Sequence, residues 1–299
     1  MPELPEVENL RLGLKRVIVD QKILQVKVRK PKLVSGKGTI RKASNVKKLE
    51  FVHKLKGEKF LDVERRAKNL IFKLSHRKIL LGHLKMSGQF IYQPKSKSKP
   101  VIGGHPIELS GHKLPNKHSH IIFELERGTL YYNDTRMFGY LLYYPNIQAF
   151  KAENHFKNYG VEPLSREFTL KHFQKELKKK TGKIKTVLLD QKIVTGLGNI
   201  YADESLFEAR IRPNRNPSSL SSPEVKKLHT VIIRIMQKAI KVGGSSVATY
   251  RLLDMSQGNY AREHKVYGKA KKPCVNCGKL LSKTIIQGRT TIFCPKCQK

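Results

Sequence analysis

The stretch LLDQKIVTGLGNIYADESLFEARIRPNR, residues 188–215, contains a glycine-rich turn followed directly by a helical pattern. Gly196 and Gly198 permit a tight turn, because glycine adopts backbone conformations that other residues avoid. Asn199 then begins a helix, and the unpaired backbone N–H groups of a helix start bind anions. The stretch therefore predicts a turn and a helix start that face an anion.

The sequence on both sides of this stretch is also helical in pattern, from residue 166 onward. Helical segments are predicted at REFTLKHFQKELKKK (166–180), KTVLLDQKIV (185–194), IYADESLFEA (200–209) and SPEVKKLHTVIIRIMQKAIKV (222–242). We interpret the run KKKTGKIK (178–185) as a solvated, charged face. Residues 166–264 are therefore predicted to form a helical domain, preceded by a linker at residues 146–165.

The cysteines of the chain form two close pairs near its end. Each pair has the form Cys-x2-Cys, and sixteen residues separate the pairs, at Cys274, Cys277, Cys294 and Cys297. This spacing is typical of a structural zinc site, in which four thiolates surround the ion and leave no open position for catalysis. A tail of this length needs the metal to fold. We predict one structural Zn2+ and a zinc finger at residues 265–299, with Arg289 placed to meet phosphate.

The first half of the chain has a different pattern. Residues 2–15 predict a helix, since Pro2 and Pro5 suit a first turn and the glutamates near them suit the positive end of the helix dipole. Residues 17–145 consist of short β-rich runs such as NLIFKLS and YLLYY, which predict a sandwich or flattened barrel. Residues 94–118, rich in Pro, Gly, Ser and Lys, predict a long surface loop. The predicted fold class is α+β in two domains, the first at residues 1–145.

The charge of the chain points to a polyanionic partner. Lys and Arg number 60 against 23 Asp and Glu, which gives a formal charge of +37 and a pI of about 10.2. On charge alone, a solubilised surface or an RNA-binding ribosomal protein explains the excess of basic residues as well as any more specific polyanionic partner does. Apolar residues at 39% exclude a disordered basic tail. No apolar run approaches the roughly 20 residues of a membrane span, and the N-terminus lacks a signal-peptide pattern. We therefore expect a soluble intracellular protein without a membrane partner.

Eight segments, taken together, are similar to one known family. They are PELPEVE, RRAKNLIFKL (65–74), HLKMSGQF (83–90), NDTRMFGY (133–140), GVEPLS (160–165), the stretch 188–215, GGSSVATY (243–250) and VYGK with the four-cysteine finger. In this order they resemble the formamidopyrimidine-DNA glycosylase family. The resemblance implies an N-terminal β-sandwich domain carrying the N-terminal helix. It also implies a C-terminal domain with a helix–two-turn–helix motif and a zinc finger.

The resemblance also implies an activity and a setting. The activity is that of a bifunctional DNA glycosylase and AP lyase of base-excision repair, which removes oxidised purines such as 8-oxoguanine and formamidopyrimidines. Strand cleavage is expected by β,δ-elimination through an imine with the N-terminal proline. We expect a monomer that acts on damaged double-stranded DNA, in a bacterial-type cytoplasm at the nucleoid, without a redox or organic cofactor.

The opening segment supplies the expected chemistry. Removal of Met1 would expose the secondary amine of Pro2. Because an α-amine in general has a pKa of about 8, a useful fraction is expected to be neutral and able to act as a nucleophile. The resemblance assigns Glu3 as general acid for the sugar ring oxygen and Glu6 as a supporting acid. It assigns Lys68 as the active-site lysine that meets the phosphates beside the lesion.

The remaining expected site residues contact DNA. By resemblance, His83, Asn199 and Arg289 bind phosphates, and Met86, Arg136 and Phe138 fill the hole left by an extruded base. GGSSVATY resembles the start of the loop that covers the extruded base, with Ser245, Thr249 and Tyr250 reading its edge. The following RLLDMSQGNYAR (251–262) departs from the family pattern, which has an Asn and more glycine there.

Three alternatives stay open at this point. An endonuclease VIII-like glycosylase for oxidised pyrimidines shares the family pattern, but it usually has glycine where Leu4 stands. A non-catalytic zinc-finger DNA-binding protein explains the charge and the cysteines, but it leaves the Pro–Glu start and the Lys68 segment unexplained. An RNA-binding protein is the weakest alternative, because no stacking-platform motif is present.

Overall fold

The computed structural model describes residues 1–37, 41–96, 101–104, 114–245 and 259–299. For residues 101–104 it describes the backbone alone. The chain divides into two compact units, one of Met1–His155 with Gly243–Asn259 and one of Phe156–Val242 with Tyr260–Lys299. These bounds differ from the predicted domains, because residues 146–155 and 243–245 group with the first unit. Among the described residues, no helix combines the length and apolarity needed to cross a membrane.

The first helix lies where the opening segment predicts one, but it begins at Leu4 rather than at Pro2 and continues beyond residue 15. Helix α1 is Leu4–Ile18, with Pro5 in its first turn and Glu3 as its N-cap. A capping box joins Glu3 and Glu6, in which each side chain accepts a hydrogen bond from the backbone N–H of the other. Its apolar face is buried in the core of the first unit. Pro2 and Glu3 therefore precede the helix rather than form part of it.

The first unit is a β-sandwich, as predicted. Within the described residues its two sheets are antiparallel, with strand orders β1-β7-β8-β5-β6 and β2-β3-β4-β9. The strands are β1 (Ile23–Val28), β2 (Phe60–Arg66), β3 (Asn69–Leu74), β4 (Ile79–His83), β5 (Gly88–Pro94), β6 (Val101–Gly104), β7 (Ser119–Leu125), β8 (Gly128–Asp134) and β9 (Tyr140–Tyr144). Aromatic rings join the sheets: Phe72 and Phe90 have ring centroids 5.7 Å apart.

Two features of this unit differ from the sequence prediction. The predicted loop at 94–118 contains β6, which pairs with β5, so the loop prediction is wrong at residues 101–104. Helix α2 (Asn45–Leu55) lies within the predicted β-rich region. Its side chains Val46 and Leu49 are 77% and 66% exposed, while only Phe51 and Leu55 are buried. Because apolar residues lie on both the buried and the exposed face of α2, the sequence lacks the periodic apolar pattern that predicts a helix.

The second unit is helical, as predicted. The remaining helices are α3 (Ile147–Ala152), which belongs to the first unit, and α4 (Leu170–Lys178), α5 (Ile184–Leu189), α6 (Asn199–Ala209) and α7 (Ser222–Lys241). A separate apolar core joins these last four helices. Gly196 has a φ of +93°, and Gly198 is the N-cap of α6. The tight turn and the helix start at Asn199 are therefore confirmed.

A hairpin lies between the two cysteine pairs. Its strands are β10 (Ser282–Ile286) and β11 (Arg289–Phe293), which pair antiparallel around Gln287 and Gly288. Gln287 and Gly288 both have positive φ, which fits a two-residue turn of the kind common in hairpins. Arg289 is exposed at the first position after this turn.

Candidate functional site

The N-terminal end of α1 brings two carboxylates together beside Pro2. Pro2 is buried, and Glu3 and Glu6 are only 4% and 2% exposed. The backbone N–H of Glu3 donates to Oε2 of Glu6 at 2.8 Å. The capping box therefore fixes both carboxyl groups next to residue 2.

Glu6 has a second partner far away in the sequence. The backbone N–H of Ser245 donates to its Oε1 at 2.7 Å. A Cβ at Gly244, which has a φ of +79°, would lie 2.8 Å from the same oxygen, so this approach requires glycine. Through this hydrogen bond, Glu6 joins the start of the GGSSVATY segment to the N-terminal end of α1. Thr249 and Tyr250 lie outside the described residues.

The turn that carries Lys68 is tied to α1 through Glu8. The Glu8 carboxylate accepts from Nε of Arg65 at 2.8 Å, and Nη1 of Arg65 donates to the Ala67 carbonyl at 3.0 Å. Although burial opposes it, hydrogen bonds from Arg11 and Arg65 lower the pKa of Glu8. Lys68, at the β2–β3 turn, is 7% exposed. No sequence pattern marked the contacts of Glu8 and Arg65, although both residues lie in the segments PELPEVE and RRAKNLIFKL.

His83 stands opposite the Lys68 turn, because its strand partner in β3 is Asn69. The backbone N–H of Lys85 donates to Nδ1 of His83 at 2.9 Å, so the proton of the neutral ring lies on Nε2. Burial, together with the charges of Lys85 and Lys68, lowers the pKa of His83 well below 6.5. At neutral pH the ring is therefore an uncharged N–H donor.

Arg136 contacts the other two residues that are predicted to fill the DNA hole. Nη1 of Arg136 lies 3.3 Å from Sδ of Met86, and its guanidinium stands 4.6 Å from the ring centroid of Phe138. Met86 is 38% exposed, Arg136 is exposed and Phe138 is half-buried. Met137 between them packs against the core instead. The geometry brings a flexible apolar side chain, a cation and an aromatic ring to one surface.

The start of α6 and the hairpin are joined in the second unit. Nδ2 of Asn199 donates to the Thr290 carbonyl at 3.1 Å. Thr290 follows Arg289 in β11, so the predicted phosphate residues Asn199 and Arg289 belong to one connected surface.

A buried ion pair holds the start of α6 against the hairpin, and the prediction that residues 178–185 form a solvated face is wrong at Lys185. Lys185, in the run interpreted as a solvated face, is 0% exposed, and its Nζ lies 2.6 Å from Oδ1 of Asp203. The same Nζ donates to Oγ1 of Thr291 at 2.8 Å, and Oδ2 of Asp203 accepts from the Ile292 N–H at 3.2 Å. Burial raises the pKa of Asp203 to about 6, against the effect of the ammonium. In a lysine-rich run, nothing local distinguishes the one lysine that tertiary packing encloses.

We expect Lys185→Met to lower the free energy of unfolding by about 3–5 kcal/mol, because it leaves the Asp203 carboxyl buried without its cation. Lys179→Met is the matched control, since Lys179 pairs with Glu176 at the surface and is 53% exposed. The control should lose less than about 1 kcal/mol. Urea unfolding measures the free energy of unfolding of both variants. Equal losses of stability in the two variants would contradict a stabilising role for the buried Lys185–Asp203 pair.

The four cysteines form one cluster that fits a metal ion. Their sulfur atoms all lie within 4.8 Å of one another, with Cys277 and Cys294 at 3.5 Å and Cys274 and Cys297 at 3.9 Å. A tetrahedral zinc thiolate site has Zn–S bonds of about 2.3 Å, hence sulfur separations of about 3.8 Å. The backbone N–H groups of Asn276 and Cys297 donate to the sulfurs of Cys274 and Cys294. The predicted ligand set is therefore assembled.

Two sequence models of known domains match this chain. The model described as the formamidopyrimidine-DNA glycosylase N-terminal domain matches residues 1–141. The model described as the formamidopyrimidine-DNA glycosylase H2TH domain matches residues 159–251. The chain belongs to the formamidopyrimidine-DNA glycosylase family. The resemblance seen in the sequence is confirmed.

Members of the formamidopyrimidine-DNA glycosylase family match over the full length. The formamidopyrimidine-DNA glycosylase of Listeria monocytogenes is 41% identical over 300 residues, 100% of both chains. The crystal structure of a mutant of the Lactococcus lactis FPG in complex with a Fapy-dG containing DNA has a TM-score of 0.84 at 36% identity, covering 100% of both chains. The complex between the Lactococcus lactis Fpg and an abasic site containing DNA has a TM-score of 0.83 at 35% identity, covering 99% of each chain. These likenesses confirm the predicted α+β fold with two domains.

Proposed function

We propose that this protein is a bifunctional DNA glycosylase and AP lyase that excises oxidised purines, 8-oxoguanine and formamidopyrimidines, and then cuts the strand. The observation that carries the proposal is the pair of buried carboxylates, Glu3 and Glu6, fixed beside Pro2. Met1 is 46% exposed and precedes α1, so its removal leaves the helix and its capping box in place. Buried carboxyl groups beside a free amine are suited to proton transfer during attack on a sugar.

Base removal begins at the amine of Pro2. Its lone pair attacks C1′ of the deoxyribose, and the damaged base leaves with the electron pair of the glycosidic bond. The proton that the Pro2 nitrogen then loses passes to the departing base. Glu3 protonates the ring oxygen as the C1′–O4′ bond breaks, and the nitrogen lone pair forms the C1′=N double bond of an iminium ion. Because a proline nitrogen carries no further proton to lose, this iminium stays cationic and accepts electrons.

Strand cleavage follows from the same intermediate. Loss of a proton from C2′ expels the 3′ phosphate by breaking the C3′–O bond, and loss of a proton from C4′ in a second elimination expels the 5′ phosphate by breaking the C5′–O bond. Water then releases the sugar fragment and restores the amine. The chemistry needs no redox or organic cofactor, since the iminium supplies the electron sink.

Phosphate contacts hold the DNA for this chemistry. We assign them to Lys68, His83, Asn199 and Arg289, supported by a formal charge of +37. The tetrahedral cysteine cluster would hold one structural Zn2+, which supplies folding energy to the hairpin that presents Arg289. Ser245, Thr249 and Tyr250 are proposed to read the extruded base. The protein is expected to act as a monomer on damaged double-stranded DNA in the cytoplasm, at the nucleoid, and away from membranes.

Borohydride trapping tests the proposal. The protein is incubated with duplexes that contain 8-oxoguanine, a formamidopyrimidine, an oxidised pyrimidine or no lesion, and borohydride reduces any imine to a stable bond. We expect covalent complexes on the purine lesions, with the link at Pro2 by mass spectrometry. Binding without trapping would indicate a non-catalytic DNA-binding protein. Faster trapping on the oxidised pyrimidine would indicate the endonuclease VIII-like alternative.

Phe138→Ala tests the proposed void-filling role. We expect excision from an intact lesion duplex to fall about tenfold, because nothing then replaces the lost base stacking. DNA with a preformed abasic site should be affected much less, since no base needs to be extruded. Single-turnover rates on the two substrates make the comparison. Equal losses would show that Phe138 serves the core instead.

A further inference from the structure

The loop that carries Arg136 and Phe138 is held by an arginine from a distant segment. We call residues 135–139 the wedge loop. The guanidinium of Arg41 donates to the carbonyls of Phe138 at 3.4 Å, of Met137 at 3.5 Å and of Gly139. Its Nε donates to the Lys32 carbonyl at 2.6 Å. One planar, multi-donor group therefore binds consecutive carbonyls of the wedge loop and joins them to residue 32.

The amide side of the wedge loop is held by a carboxylate. Oδ2 of Asp134 accepts from the N–H of Gly139 at 2.7 Å, and Oδ1 accepts from the N–H of Arg136 at 3.2 Å. Ser87 donates to Oδ1, and its Oγ accepts from the Arg136 N–H at 3.0 Å. Since Ser87 follows Met86, this carboxylate also ties together the two loops that carry the void-filling residues.

The backbone of the wedge loop needs these contacts. Met137 has a φ of +52°, a conformation that costs energy for a residue with a side chain. A Cβ at Gly139 would lie 1.8 Å from the Tyr132 hydroxyl, so the chain passes very close to the core there. Such a backbone persists only where its surroundings impose it. The amides face Asp134, and the carbonyls face Arg41.

The position of Arg41 is suited to a supporting role. The residue is half-buried, and its guanidinium stands 6.0 Å from the ring centroid of Tyr140, directly after the wedge loop. Its donors are directed at backbone oxygens, whereas Arg136 is exposed and lies over Phe138.

We propose that Arg41 is a positioning residue for the wedge loop, which holds Phe138 and Arg136 in the geometry that enters the duplex. The inference rests on the proposed function. Side chains ordered before binding lose less conformational entropy when they bind, so loss of the support should slow lesion extrusion. Chemistry at a sugar that already lacks its base should continue.

The test compares Arg41→Met, Arg41→Lys and a matched control, Arg29→Met. Arg29 also donates to backbone carbonyls of the first unit, those of Asn116 and Ser119, neither of which belongs to the wedge loop. We expect Arg41→Met to slow excision from an intact 8-oxoguanine duplex about tenfold, with near-normal borohydride trapping on preformed abasic-site DNA. Arg29→Met should leave both rates within about twofold. A near-normal rate of trapping on abasic-site DNA also shows that a variant is folded.

Arg41→Lys separates support of the loop from contact with DNA. A lysine keeps the charge but cannot reach several carbonyls with one planar group, so we expect it to be as slow as Arg41→Met. A direct phosphate contact would instead be largely rescued by lysine. If Arg41 contacted a phosphate directly, Arg41→Met would reduce the magnitude of the slope of log affinity against log salt concentration by about 0.9. Rescue by lysine, or such a change in slope, would overturn the proposal.

A double-mutant cycle with Phe138 completes the test. If Arg41 acts through the wedge loop, Arg41→Met should cost much less in a Phe138→Ala background than in the native protein. Full additivity of the two losses would overturn the proposal. Absence of trapping by the native protein on every substrate would instead refute the proposed function. A native protein that traps, with Arg41→Met equal to Arg29→Met, would refute only the role of Arg41.

Discussion

A protein that keeps Met1, or that has extra residues before Pro2, should neither excise a damaged base nor cut the strand. The nitrogen of Pro2 is then an amide, whose lone pair is delocalised and does not attack the sugar. Loss of the covalent route should reduce the single-turnover rate by several orders of magnitude. Affinity for lesion DNA should stay near normal, because Lys68, the Arg289 hairpin and the void-filling residues are unchanged.

Glu3→Gln is the informative comparison for this result. Its amine survives, but its side chain no longer supplies a proton to the ring oxygen. It should fail at base removal and keep some cleavage of a preformed abasic site, where the sugar ring is already open part of the time. Mass spectrometry must first confirm that the active chain begins at Pro2. Borohydride trapping at the native rate by a protein with a blocked N-terminus would exclude Pro2 as nucleophile and make Lys68 the first candidate.

Cys294→Ser should abolish stable metal binding and loosen the finger. Structural zinc contributes apparent binding energies of about 10–16 kcal/mol in small finger peptides, and three thiolates cannot complete the tetrahedron. Affinity for lesion DNA should fall on the order of a hundredfold, since Arg289 and its link to Asn199 lose their support. The β-sandwich unit should stay folded, because it has its own core.

Thr284→Ala is the matched control for Cys294→Ser. Thr284 is exposed in β10 of the same hairpin and is not a predicted ligand. It should retain one Zn2+ per chain by elemental analysis and bind lesion DNA normally. A chelator should reproduce the Cys294→Ser loss in the native protein, and added Zn2+ should reverse it. Normal binding of lesion DNA by Cys294→Ser would show that the finger is dispensable and that Arg289 is wrongly assigned.

Local sequence was sufficient for features that depend on neighbours along the chain. The prolines and glutamates of the opening segment encode the capped start of α1, and Gly196 and Gly198 encode the turn before α6. Period-two apolar runs encode the strands of the sandwich, because side chains in a strand alternate between faces. The two Cys-x2-Cys pairs likewise predict the cluster of four sulfurs, because this spacing is typical of metal-binding fingers. Helix α2 was missed because its exposed apolar residues conceal the periodicity.

The tertiary structure decided which polar groups support the site. Ser245 bonds to Glu6 across 239 residues, Arg41 reaches Met137 across 96, and Lys185 reaches Thr291 across 106. No local pattern marks such partners, since a buried lysine in a lysine-rich run is chemically identical to its exposed neighbours. Its pairing depends on which segments the packed core brings into contact. The sequence alone therefore determined the expected reacting groups and the fold class, whereas the packing of distant segments determined what holds those groups in place.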